Sequence, residues 1–118
     1  MAPTHHAIDY VEITVADLAT AEDFYARAFG WTFTDYGPSY AGFRTAGRDE
    51  EAGGLSVGEP PGPGGPLVLL FSDDLEATVS AVEAAGGRIL RAPYAFPGGR
   101  RFHFADPSGT EMGVWAMS

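Results

Sequence analysis

Few residue types in this chain are able to do chemistry, because four of the usual ones are missing. The sequence contains no Cys, Lys, Asn or Gln. Without Cys there is no thiolate nucleophile, iron–sulfur cluster or thiolate zinc site. Without Lys there is no Schiff base and no covalent pyridoxal site. Three His are present, an adjacent pair at His5 and His6 and a single one at His103. His103 lies in the run Arg101-Phe102-His103-Phe104 and Glu12 in Tyr10-Val11-Glu12-Ile13, both alternating like strands. A carboxylate and an imidazole are tuned readily as base and acid, so Glu12 and His103 form the candidate catalytic pair. A plainer reading stands beside this one. Glu12 and Arg101 could satisfy each other as an ion pair, and His103 could be a structural strand histidine.

Two short motifs are set aside on context. Gly54-Leu55-Ser56-Val57-Gly58 fits the nucleophile-elbow pattern, but that elbow must open a helix, and Glu59-Pro60-Pro61-Gly62 follows instead. The Gly-rich stretch beyond it also lacks a following helix, so no phosphate or dinucleotide cradle is expected and no cofactor is implied.

The elements that position these residues belong to one small domain. The chain has 118 residues, 45% hydrophobic and 19% charged, which suits a single globular unit. Net charge is −9, with basic residues numbering 7 against 16 acids, so no nucleic-acid partner is expected. Such acidity favours solubility, and an acidic cavity would also steer a cationic ligand. The longest apolar run, Leu67 to Phe71, is far too short to span a bilayer. The opening Met-Ala-Pro-Thr-His-His does not read as a signal peptide, so a cytoplasmic location is expected.

A repeat organises the chain. Asp17 and Asp74, Leu18 and Leu75, and Gly30 and Gly87 are each 57 positions apart. A strand is expected over Ile8 to Val15 and another over Leu67 to Ser72. Each leads to a helix capped by Asp, at 17 and at 73 or 74, and each helix stops at Gly. Three short strands follow: Trp31 to Tyr36, Tyr40 to Thr45 and Gly54 to Val57 first, then Arg88 to Arg91, Arg101 to Ala105 and Thr110 to Trp115. Asp106-Pro107-Ser108-Gly109 suits a type I turn and makes the last two strands a hairpin. The first module covers about 6–58 and the second about 67–118, with a Gly/Pro linker over 58–66. The fold class is α+β, two tandem βαβββ modules.

The pattern Val-x-Asp-Leu-x-x-Ala-x-x-Phe-Tyr-x-x-x-Phe-Gly-Trp, from Val15 to Trp31, resembles the opening of the vicinal oxygen chelate superfamily, which includes glyoxalases, bleomycin resistance proteins and extradiol dioxygenases. The ending Phe-Ala-Asp-Pro-Ser-Gly-Thr-Glu-Met-Gly-Val-Trp, from Phe104 to Trp115, resembles its closing hairpin. The resemblance implies an incomplete barrel around a cavity, and often a homodimer, sometimes with the cavity shared between chains. Metal-dependent members take ligands from the first and last strands of each module. Carried over, these positions fall on Tyr10, Leu67, Gly113 and, by the repeat, near Ser56. None is a usual ligand for a hard divalent ion, so no metal is expected; His5, His6 and Glu12 could supply only a shifted site. The same positions set the strand phase and imply a lining of Tyr10, Glu12, Leu67, Leu69, Arg101, His103, Glu111 and Trp115, with Tyr94 from a loop. An apolar wall with a few polar groups suits a small molecule.

Three functions follow from this reading. The chain could be a metal-independent binding protein that sequesters a hydrophobic or cationic compound. It could instead be a metal-free isomerase, epimerase or lyase using Glu12 and His103. The family's metal-dependent lyase or dioxygenase chemistry would need a non-standard site.

Overall fold

In Val11-Glu12-Ile13-Thr14-Val15, branched apolar side chains alternate with polar ones. The run forms strand β1 (Val11–Val15), with Ile13 and Val15 buried and Glu12 exposed on the other face. The computed structural model, which describes residues 4–60, 62 and 66–118, continues with α1 (Leu18–Phe29), β2 (Thr32–Asp35), β3 (Tyr40–Arg44) and β4 (Gly53–Val57). The second unit repeats the order as β5 (Leu69–Phe71), α2 (Leu75–Ala84), β6 (Arg88–Phe96), β7 (Gly99–Ala105) and β8 (Glu111–Ala116). Each unit makes a four-stranded sheet, β1-β4-β3-β2 and β5-β8-β7-β6, with its first strand parallel to its last. The α+β class and both βαβββ units are as expected. The sheets stay open: β1 and β5 are edge strands, and among the described residues no strand pairing joins the two sheets.

Several boundaries differ from expectation. β1 starts at Val11 rather than Ile8, and Leu67 lies before β5 rather than in it. β6 runs on to Phe96 because Pro97-Gly98 folds it into a long hairpin with β7. Pro93 is tolerated there because β6 is an edge strand whose pairing is interrupted on both sides of Arg91. Of the linker, Pro61 and residues 63–65 lie outside the described residues.

The helix caps follow the repeat with one slip. Asp17 accepts a hydrogen bond from the Thr20 amide at 2.8 Å, and Asp74 from the Ala77 amide at 3.1 Å. α1 ends on Gly30 in the left-handed conformation (φ 73°). α2 ends on Ala85, and Gly86 takes the left-handed turn one residue before the repeat would place it.

One core serves both modules. Tyr25, Trp31 and Phe43 stack with centroids 4.6 and 4.3 Å apart, while Phe24 and Phe29 of α1 reach Phe104 of β7 at 5.9 and 5.6 Å. Beside this contact, the buried Tyr25 hydroxyl donates to Asp106 Oδ2 at 2.8 Å. The other oxygen of Asp106 accepts from the Ser108 and Thr110 amides at 2.9 and 3.0 Å, which shapes the predicted turn. Burial pushes the Asp106 carboxyl up against the pull of these donors. Burial, then the neighbouring Asp106, likewise holds the Tyr25 phenol well above its ordinary value.

A carboxyl pair makes the fold sensitive to pH. Glu22 of α1 stands beside Asp35 of β2, and burial followed by the Asp35 carboxyl pushes Glu22 up from 4.5 to about 7. The native state then keeps a proton that the unfolded chain releases. This contribution to stability is complete below about pH 4.5 and is lost as pH rises through about 7. Glu22→Gln should therefore flatten the fall in melting temperature between pH 5 and pH 7.5; parallel profiles for variant and parent would reject the assignment.

Candidate functional site

On β7, Arg101 and His103 point away from Phe102 and Phe104, which are fully buried. The register sets Arg101 opposite Trp115 and Tyr94, and His103 opposite Gly113. His103 Nδ1 lies 2.8 Å from Glu111 Oε2, and its Nε2 lies 2.8 Å from the Tyr94 hydroxyl. Arg101 Nε donates to that same hydroxyl. With Glu111 as a carboxylate, one assignment satisfies every atom. Nδ1–H donates to Glu111, the Tyr94 hydroxyl donates to Nε2, and Arg101 donates to the Tyr94 oxygen. The Arg91 guanidinium lies 3.6 Å from the Tyr94 ring centroid, and the Arg101 guanidinium 5.4 Å from the Tyr94 and Phe96 centroids. Trp115 meets Phe71 and Phe96 edge-on at 5.0 and 6.2 Å. The β6–β8 face thus carries an aromatic platform beside a closed polar chain.

The first sheet carries a second cluster. Tyr40 donates to Glu12 at 2.9 Å and shares a 3.1 Å hydrogen bond with Tyr10. The bond to Tyr10, then burial and the bond to Glu12, raise the Tyr40 phenol far above its ordinary value. Tyr36 donates to Glu51, and that bond raises the Tyr36 phenol. Arg44 approaches Glu51 at 4.0 Å. The hydroxyl end of Tyr40 lies over Gly54, where a Cβ would stand 2.0 Å from its oxygen.

The structure therefore joins Tyr94, Arg101, His103 and Glu111, with Trp115 beside them, and separately joins Tyr10 and Glu12. Among the described residues no hydrogen bond or ion pair links Glu12 to His103, and Arg101 is engaged by Tyr94 rather than by Glu12. Tyr94 sits on strand β6, not on a loop. Leu69 shares the face of Gly113, whereas Leu67 precedes the strand. Arg91, Phe96, Tyr36, Tyr40 and Glu51 were not singled out. Period-two alternation along β3 offered a signal for Tyr40 and Arg44, but nothing local marked the rest.

Three of the four positions where the resemblance would put metal ligands, Tyr10, Leu67 and Gly113, do not fit a divalent ion. Tyr10 is bonded to Tyr40, and Leu67 offers no donor. A Cβ on Gly113 would meet Leu69 Cδ2 at 2.4 Å, so a ligand's place there is filled. His5 and His6 stack on each other at 3.8 Å. Among the described residues no three His, Asp or Glu side chains gather as a metal-holding group.

A cavity of about 640 Å³ lies elsewhere, between β1 and β5. It shares Leu69 with the expected lining but none of the polar candidates. The polar clusters lie instead on the open sheet faces, where Tyr10 is 40% exposed; Leu69 and Phe71, 39% and 50% exposed, also line the cavity.

Residues 7–114 match the profile of the glyoxalase/bleomycin resistance protein/dioxygenase superfamily. The anthracycline biosynthesis protein DnrV of Streptomyces peucetius is 32% identical over 117 residues, covering 84% of this chain and 42% of DnrV. The chain thus spans less than half the length of the curated relatives it matches. TnmS3, an antibiotic binding protein from Streptomyces sp. CB03234, superposes with a TM-score of 0.73 at 25% identity, covering 100% of this chain and 99% of that one. A superfamily enzyme from Burkholderia phytofirmans PsJN gives a TM-score of 0.79 at 19% identity, covering 94% and 98%, a likeness of fold alone.

Proposed function

Because the chain belongs to the glyoxalase/bleomycin resistance protein/dioxygenase superfamily, we propose that it is a metal-independent small-molecule-binding member, which holds a hydrophobic planar compound without converting it. The observation that carries this reading is the β6–β8 face. Its half-buried Trp115, with the exposed Phe71 of neighbouring β5, adjoins polar groups already bonded to one another. Such a surface offers stacking area and a few orienting contacts, and a cationic substituent would find Glu12 and Glu51 on the other sheet. The likeness to TnmS3 and DnrV supports an antibiotic-type ligand. Calorimetric titration with an anthracycline as probe should show one site per chain, with the compound recovered unchanged by mass spectrometry. Recovery of a turned-over product would sink the reading.

A second copy is part of this proposal. Both sheets leave large apolar side chains open to water, Tyr10 and Tyr36 beside the first and Leu69 and Phe71 on the second, and a second copy would cover them. A homodimer that sets the first sheet of one copy over the second sheet of the other would enclose the ligand. Sedimentation should give twice the chain mass, and Phe71→Glu should shift it to the monomer; a parent that sediments as a monomer rejects the shared cavity.

One observation favours the enzyme reading. His103 is held by Glu111 on one nitrogen and meets a hydroxyl on the other, an arrangement suited to a general base. Under that reading His103→Ala abolishes turnover with the fold intact.

A further inference from the structure

We infer that the cavity between β1 and β5 is a second binding site, for an amphipathic anion with an apolar body and a single carboxylate-like head. It adjoins the aromatic platform at Leu69 and Phe71 of β5 but shares none of the platform's polar groups. Ile13 and Phe43, which line it, point to the helix side of the first sheet, opposite Glu12 and Tyr40. Val68 and Leu70, which pack on the core from the other module, form the facing wall. The volume, about 640 Å³, falls in the range of small-molecule sites, roughly 300–1,000 Å³. Phe29 and Trp31 supply aromatic surface, with ring centroids 6.3 Å apart.

Polarity enters at one side only. Thr45, Ala46 and Arg48 line the cavity from the turn that follows β3. The Arg48 amide donates to the Thr45 carbonyl at 3.1 Å, and Gly47 takes φ 77°, as the third residue of a type II turn requires. Arg44 Nε braces the turn by donating to the Asp49 carbonyl at 2.8 Å. Arg48 is exposed, and among the described residues its guanidinium has no acidic partner, whereas Arg27, Arg44 and Arg100 each have one. Asp49 and Glu50 follow it in sequence but do not line the cavity. In a chain of net charge −9, an unpaired cation on the rim of an apolar cavity selects a ligand by the sign of its head group.

The probes are dodecanoate, kept below its micellar concentration, and dodecyltrimethylammonium, which keeps the chain length and reverses the charge. Calorimetry on the full chain should show one dodecanoate bound per chain and the cation at least tenfold weaker, the order of one charge-assisted contact. Arg48→Glu should weaken dodecanoate at least tenfold. Ala46→Trp, also on the exposed turn, should block both probes, with circular dichroism unchanged in each variant. Failure of dodecanoate to bind the parent overturns the inference, as does equal binding to Arg48→Glu. Should Ala46→Trp instead dissociate a dimer in sedimentation, the cavity belongs to a second copy, and that too overturns it.

Discussion

Asp106→Ala should lower the free energy of unfolding by about 3–5 kcal/mol, measured by urea denaturation. The carboxylate performs two tasks in one place. It receives the hydroxyl of Tyr25, which α1 buries completely against Trp31, and it receives two amides of the turn between β7 and β8. Removing it strands the Tyr25 hydroxyl in an apolar surround, which alone costs about 1–3 kcal/mol, and frees the turn. The same turn reaches the first module again through Ser108, whose hydroxyl accepts from the Ala16 amide at 2.9 Å. Loosening it therefore loosens the contact between modules. Tyr25→Phe should cost less, about 1–2 kcal/mol, because Asp106 retains its two amide donors. In the Asp106→Ala background, Tyr25→Phe should be neutral or stabilising, since it then removes an orphan hydroxyl. A single-site cost for Asp106→Ala below about 1 kcal/mol would show that the two modules do not depend on this junction.

That junction was half legible in the sequence. Asp-Pro-Ser-Gly announced a turn because each residue type suits its position, and the turn forms with Gly109 donating to the Asp106 carbonyl at 2.8 Å. Nothing in the sequence announced Tyr25 as its partner 81 positions away. The same division holds at the candidate site. Strand period paired Arg101 with His103 and Glu111 with Trp115, because alternation is a local property of extended chain, and the positions carried over from the resemblance set both pairs on one face. It also placed Tyr10 and Glu12 together. What it could not give is the separation of the two faces, which depends on how two sheets with no strand pairing between them among the described residues are held by α1 and α2. Glu12 and His103 consequently looked like one pair and are members of two clusters. The length of β6 escaped for a related reason: Pro93 reads as a strand breaker, and only an edge position makes it harmless.

Trp115→Ala should weaken binding of a planar aromatic probe by about 2–3 kcal/mol, roughly 30–150-fold in dissociation constant, if the β6–β8 face holds the ligand as proposed. Trp115 is half-buried and wedged edge-on between Phe71 and Phe96, so its ring is supported before any ligand arrives. A platform supported in this way costs little conformational entropy on binding, which is why a large rigid ring contributes more than a flexible chain of equal area. Removing it also withdraws the surface beside which Arg101 is held by Tyr94. Trp115→Phe keeps most of the stacking area and should recover most of the affinity. His103→Ala separates the two functional readings, because it leaves the platform in place. Under the binding reading its dissociation constant changes by less than about tenfold, whereas under the catalytic reading turnover disappears while affinity persists. Unchanged affinity in Trp115→Ala would show that the ligand does not stack on Trp115, and Phe71→Ala, which removes the more exposed ring beside it, would then decide whether the ligand uses this face at all.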